Sequence, residues 1–277
     1  MLGNRTRLPP EVVESSPSLH VGITYVEEHA QRAYACDRIQ RMGVMLQLQP
    51  MTVVGSEMAL HRFYYNRSLT EFDVRVVVDV NTGSSLQQAC LLLVGKIEED
   101  VRKITDILAV SFFLSEMETL GVLEPSHAHV AAMRWPAPAA ESDYRKRVIR
   151  AERYLLRDTG FLLAAALIYP HSYLLQYVHV ICGHCASISS DTHNRIAQKA
   201  WGFLNDSMRT SLCVEKAAPV LAAAALCLAL NDRGIGLTPE TGWPEIFDTT
   251  WSDIEETCER ILGLCTVPVP AYRQYCP

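Results

Sequence analysis

The 277 residues are 49% hydrophobic and 20% charged, with a formal net charge of −6. That is ample core material for one large globular domain or two ordinary ones. The acidic balance argues against a dedicated nucleic-acid binder, which would show a clustered basic excess. No run of five like charges occurs, so there is no acidic or basic tail. The nine cysteines fall mostly inside apolar segments, as reduced thiols of a cytosolic or nuclear protein do. The opening MLGNRTRLPPEVVESS has no secretory apolar stretch. The longest apolar runs, FLLAAALIYP and VLAAAALCLAL, fall short of the roughly 20 residues that span a bilayer.

Residues 1–18 are rich in proline and serine and read as extended. From Val26, the positions Ala33, Cys36, Ile39, Gly43, Val44 and Leu46 follow helical spacing. Pro50 opens a second helix, Met51–Tyr65, with Met58, Leu60, Phe63 and Tyr64 as its apolar surface. VRVVVDVNT, residues 74–82, reads as strand or loop. Residues 85–97 form a third helix whose run Ala89–Val94 leaves no wet face, so it belongs in a core. Val101–Leu114 is a fourth, with Ile104, Ile107, Leu108 and Ser111 in line; Glu98, Glu99 and Asp100 then sit near its N-terminus, where acids are favoured. The Pro- and Ala-rich stretch 121–140 is a loop, and a fifth helix, Ser142–Thr159, stops at Gly160. Further helices are expected at 170–186, 191–209, 217–230 and 251–264. The last is opened by Thr250 with Asp253 three residues on, or by Ser252 with Glu255. The pattern predicts an all-α chain of about ten helices, splitting into two groups of five near 161–170.

Two charges interrupt apolar faces. In the fifth helix Val148, Ile149, Leu155 and Leu156 form one stripe, and Glu152 stands at three- and four-residue steps from all of them. Lys96 stands likewise behind Leu92 and Leu93. Burying either charge unpaired costs several kcal/mol. Either the two pair within the fold or reach out to water, or both stand at the rim of an apolar patch and meet another protein. Composition does not choose between these.

Other motifs lack their context. Cys182-Gly-His-Cys185 matches a disulfide-isomerase motif, but it follows YVHVI in a helical region and lacks the βαβ setting that redox chemistry needs. A lone CxxC, even with His179, His184 and His193 nearby, is a weak zinc signal. The Asn-x-Ser/Thr sites at Asn4, Asn66 and Asn205 are chance matches without a secretory signal. No P-loop, GxGxxG, HExxH or GxSxG is present. The expectation is a non-catalytic protein with no catalytic residues, cofactor or metal.

KIEED followed by VRKITDIL, with ALHRFYY before and RAERYLLRDTGF after, stand in the order of a cyclin box. AQKAWGFLNDSMRTSLCVEKAAPVLAAAALCLAL and IFDTTWSDIEETCERILGLC resemble a second cyclin fold. Over roughly residues 16–270 the chain resembles the L-type and related transcriptional cyclins of K and T type. The resemblance implies two tandem five-helix cyclin folds. Residues 1–19 would be an N-terminal extension, 20–161 the first box and 162–277 the second fold. It implies a heterodimer with a cyclin-dependent kinase, which the chain would bind and activate, and a nuclear role in transcription by RNA polymerase II or in RNA processing. Further transcription or splicing proteins are candidate associates; membrane and direct nucleic-acid contacts are not expected. By position Lys96 and Glu152 match the residues that hydrogen-bond the kinase near its C-helix, and Leu93 and Phe161 the apolar positions pressed against that helix. Arg62 matches an internal, structural arginine. A cyclin-fold adaptor of the general transcription-factor type, binding nucleic acid or polymerase, is the alternative.

Three departures bear on this. Several extra residues stand around 74–83. The MRxIL substrate-docking patch of cell-cycle cyclins is absent, with QRMGVML in its neighbourhood, so recruitment through that patch is not carried over. The Arg/Ser-rich tail of animal L-type cyclins is absent too, and splicing-factor association is not carried over with it.

Overall fold

In the computed structural model, Thr24 opens the first long helix with both halves of a capping box. Its hydroxyl accepts the Glu27 N–H at 3.3 Å, and the Glu27 carboxylate accepts the Thr24 N–H at 3.2 Å. The structure describes residues 7–74, 85–122, 129, 137–161, 167–183, 190–236 and 242–264. Among the described residues every regular element is helical. The long helices are α1 (Tyr25–Met45), α2 (Pro50–Tyr64), α3 (Leu86–Ile97), α4 (Ile104–Thr119), α5 (Pro138–Asp158), α6 (Pro170–Gly183), α7 (Ser190–Met208), α8 (Ala218–Asn231) and α9 (Trp251–Leu264). Short helical turns lie at Pro10–Glu14, Pro17–His20, Leu212–Glu215 and Trp243–Ile246. The segments 75–84 and 184–189, and most of 121–140, lie outside the described residues, and with them most of the extra residues near 74–83 and the second half of the CGHC motif.

The chain forms two compact units dividing near residue 165, with residues 7–14 joining the second. The first unit is built around α3, which packs against α1, α2, α4 and α5. Its residues Leu86 to Gly95 are all buried, as the apolar run requires. Each fully buried leucine there contributes about 2 kcal/mol. The second unit repeats this plan around α8, which packs against α6, α7 and α9. In α8 the run Val220–Leu230 is buried without interruption. Its four successive alanines, Ala222 to Ala225, are 0% exposed, which lets neighbouring helices approach closely.

Polar cross-links hold the first unit in register. Arg38 of α1 is wholly buried, and its guanidinium donates to Gln87 Oε1 of α3 at 3.2 Å, to the Ser111 carbonyl at 3.3 Å and Ser115 Oγ at 3.1 Å, and to Glu118 Oε1 of α4 at 2.5 Å. Arg32, equally buried, pairs with Glu28, donates to the Tyr64 carbonyl at 3.0 Å and lies 4.1 Å from the centre of the Tyr65 ring. Buried charges survive only with such multiple partners.

The helix bounds differ from expectation in two instructive places. The fourth helix begins at Ile104, not Val101, because residues 98–102 are drawn away to the α1–α2 corner. Arg102 donates to the carbonyls of Leu46 (3.0 Å) and Gln47 (2.7 Å). Asp100 Oδ2 accepts the Gln49 N–H at 2.7 Å and the Thr52 hydroxyl at 3.2 Å. Asp100 thus caps α2 from a distance rather than starting α4; Gln49, at the N-cap of α2, makes no side-chain cap of its own. The fifth helix begins four residues early, at Pro138, whose fixed φ suits a first turn.

Candidate protein interface

At the exit of α3 the Glu98 N–H donates to the Val94 carbonyl and the Asp100 N–H to the Gly95 carbonyl, both at 2.8 Å. Glu99 adopts the left-handed conformation between them, with φ 57°. This is a Schellman-type ending in which a glutamate occupies the position glycine usually takes. Gly95 makes it possible: a Cβ there would lie 3.0 Å from the Asp100 carbonyl oxygen. The chain therefore turns sharply back, and Lys96 is left in the last turn with about half of its side chain, 49%, exposed.

On α5 the buried stripe is Tyr144, Val148, Ala151, Glu152 and Leu155. Packing of α5 on α3 brings Glu152 to Lys96, and Nζ donates to Oε1 at 2.5 Å. The carboxylate is 12% exposed, so the pair is dry on the acid side and wet on the ammonium side. Of the two readings the sequence left open, internal pairing is realised, and it is realised at the surface. A pair this open contributes about 1 kcal/mol at most to folding.

The C-terminus of α5 closes as Gly160 predicted. The Gly160 N–H donates to the Arg157 carbonyl at 3.1 Å and the Phe161 N–H to the Leu156 carbonyl at 2.9 Å, with Gly160 at φ 64°. Phe161 itself follows at φ 58° and is 73% exposed. A bulky residue rarely adopts this backbone, and its ring loses the benefit of burial as well. Leu93, by contrast, is 6% exposed, and Arg62 is buried within α2. Of the four expected contact residues, the fold therefore joins Lys96 to Glu152, displays Phe161, and keeps Leu93 inside.

Beside Phe161 lies a groove of about 830 Å³ lined by Arg150, Arg153, Tyr154, Leu156, Arg157 and Phe161. Arg157 donates to Asp158 Oδ1 at 2.9 Å, and its guanidinium lies 4.8 Å from the centre of the Tyr154 ring. Asp158 also accepts Arg67 Nε at 2.7 Å, which ties the residues after α2 to the end of α5. Burial raises the Asp158 carboxyl, but the bonds from Arg67 and Arg157 outweigh it and hold the group below the ordinary aspartate range. Sequence reasoning missed this groove because its arginines are spread through RKRVIRAERYLLRD at helical spacing and make no run.

Among the described residues no group of three or more His, Cys, Asp and Glu could hold a metal ion, and no helix is long and apolar enough to cross a membrane.

No family model matches the chain. Its fold matches that of chains in two solved kinase complexes. It aligns with a chain of the yeast RNA polymerase II CTD kinase CTDK-1 complex at a TM-score of 0.68 and 13% identity, over 93% of this chain and 72% of that one. A chain of the CAK complex of Chaetomium thermophilum bound to ATP-γ-S gives a TM-score of 0.61 at 14% identity, over 97% and 82%. By sequence the chain is similar to cyclins of the L type. Cyclin-L1-1 of Oryza sativa subsp. japonica is 30% identical over 268 residues, 96% of this chain and 56% of that protein. Cyclin-L1 of Homo sapiens is 28% identical over 269 residues, 96% of this chain and 45% of that protein. Cyclin-L2 of Mus musculus is 27% identical over 263 residues, 94% and 45%. The chain spans about half the length of the curated relatives it matches.

Proposed function

We infer that the protein is the regulatory subunit of a cyclin-dependent kinase acting in transcription or RNA processing in the nucleus, and that it performs no chemistry of its own. The observation that carries this is Phe161, a large aromatic held 73% exposed at the end of α5 by a left-handed backbone. Such a residue is costly to the chain alone and valuable to an interface, where rigid aromatic anchors dominate binding. The similarity to L-type cyclins supports the same reading.

In this reading Lys96 and Glu152 supply charged contacts at the rim, while the exposed Phe161 supplies the apolar one. A kinase switches between inactive and active arrangements of its C-helix and activation loop. A protein that binds the active arrangement more tightly shifts that equilibrium by its differential affinity. A helical surface already fixed in the free subunit loses little ordering entropy when it docks.

The decisive experiment is the charge swap Lys96→Glu with Glu152→Lys. It preserves the internal ion pair, so the fold persists, but it inverts what the rim presents to a partner. Co-expression of the full chain with candidate cyclin-dependent kinases should give a complex with the parent and none with the swap. A swapped chain that still retains the kinase would refute the role of these two residues.

A further inference from the structure

In the second unit α8 packs against α9, and each helix brings a free thiol to the contact, Cys227 and Cys258. Cys258 Sγ lies 3.4 Å from the Ala224 carbonyl oxygen, one turn of α8 before Cys227. The two thiols hydrogen-bond each other. One turn after Cys227, Asn231 Nδ2 donates to its sulfur at 3.8 Å. Cys227 is buried, while Cys258 keeps part of its surface open to solvent. The bond from Cys258 holds the Cys227 thiol below the ordinary cysteine range, against the opposing effect of burial. The same bond, together with burial, pushes Cys258 up. An acidified thiol beside a second thiol that can resolve it is the chemistry of a redox-sensing pair.

We propose that Cys227 and Cys258 form a peroxide-oxidised pair that closes reversibly to a disulfide and staples α9 to α8. The Cys227 thiolate attacks one oxygen of hydrogen peroxide. The O–O bond breaks, a sulfenic acid forms, and the departing hydroxide takes up the proton that Cys227 gave up. The Cys258 sulfur then attacks the Cys227 sulfur. The S–O bond breaks, and the Cys258 proton leaves with the hydroxide as a second water. Two thiols lose two electrons in all and one peroxide becomes two waters; a low-molecular-weight thiol reverses the bond by exchange. Closing the loop between residues 227 and 258 removes freedom from the unfolded chain, so the oxidised second unit opens less often. The staple needs no kinase partner.

The test uses the full chain, treated with submillimolar hydrogen peroxide, blocked with N-ethylmaleimide in urea and digested with trypsin without reductant. Cleavage after Lys216, Arg233 and Arg260 puts the two cysteines on separate peptides, 217–233 and 234–260, neither of which holds another cysteine. Mass spectrometry should find these two peptides joined, two hydrogens lighter than their sum, and dithiothreitol should part them. Recovery of both only in maleimide-blocked form, or joined to other cysteines, would overturn the proposal. Hydrogen exchange of 217–233 should slow about tenfold or more in the oxidised chain; an unchanged rate would overturn the staple. In Cys258→Ser the sulfenic acid on Cys227 has no resolving thiol and should be trapped by dimedone. A Cys227 that dimedone does not label would overturn its role as the thiol that meets peroxide. The parent experiments decide the disulfide without any variant, so the folding of Cys258→Ser does not bear on them.

Discussion

Asp100 offers the sharpest test of how the interface is held. Its carboxylate is 7% exposed, caps α2 through the Gln49 N–H and the Thr52 hydroxyl, and pairs with Arg102 Nη1 at 2.7 Å. Replacing it with alanine removes a helix cap, which costs about 1 kcal/mol. It also removes a partly exposed ion pair, which adds about 1 kcal/mol more. Arg102 keeps its bonds to the Leu46 and Gln47 carbonyls, so the loop stays tethered. The sum of about 2 kcal/mol corresponds to roughly 30-fold more frequent local opening. Circular dichroism adds both units together, so the assay is hydrogen–deuterium exchange of the peptide covering residues 46–56 in the full chain. The pH dependence supplies a second check. Burial raises the Asp100 carboxyl, but the Gln49 and Thr52 bonds and Arg102 outweigh it, so its folded value lies below the ordinary one. The stabilisation is therefore complete above the ordinary aspartate range and is lost as pH falls through the depressed folded value. The gap between parent and Asp100→Asn should narrow below about pH 4. Exchange within threefold of the parent for Asp100→Ala at neutral pH would refute the remote cap.

Three further outcomes are expected. Arg38→Met should destabilise the first unit by about 3 kcal/mol, read by urea denaturation, since it removes the buried cation on which Gln87, the Ser111 carbonyl, Ser115 and Glu118 converge. Glu99→Gly should stabilise by about 0.5 kcal/mol, the relief of a left-handed glutamate less the entropy glycine loses on folding; a loss of stability would mean that the Glu99 side chain matters more than its backbone. Phe161→Ala should leave the denaturation midpoint unchanged and weaken kinase binding by about 30-fold or more, the scale of an aromatic hot spot; isothermal titration with the purified kinase measures it.

Lys96 and Glu152 were legible as charges in need of a partner, but whether they meet each other was left open. The apolar helix α3, its exit at Gly95 and the stop at Gly160 were legible, because each leaves a mark within a few residues of sequence. The capping of α9 was legible for the same reason: the Asp253 N–H donates to the Thr250 hydroxyl at 3.2 Å. What sequence hid was action across the fold. Asp100 looks like an acid at the start of the next helix, yet it serves a helix begun half a hundred residues earlier. Arg32 and Arg38 look like solvated charges on a polar helix, because their burial is decided by Glu28 and Tyr64 in one case and by α3 and α4 in the other. The second unit shows a related limit. Among its described residues it has four long helices, with the short turn Trp243–Ile246 between α8 and α9.

The Arg38 cluster also constrains how this chain can change over generations. One guanidinium touches Gln87, Ser111, Ser115 and Glu118, so three helices share a single cation. A substitution at any of these side chains alters the fitness of substitutions at the others, and their effects will not add. These positions should therefore be inherited as a block, and a related chain that lacks the arginine should be found to have exchanged its glutamate partner as well.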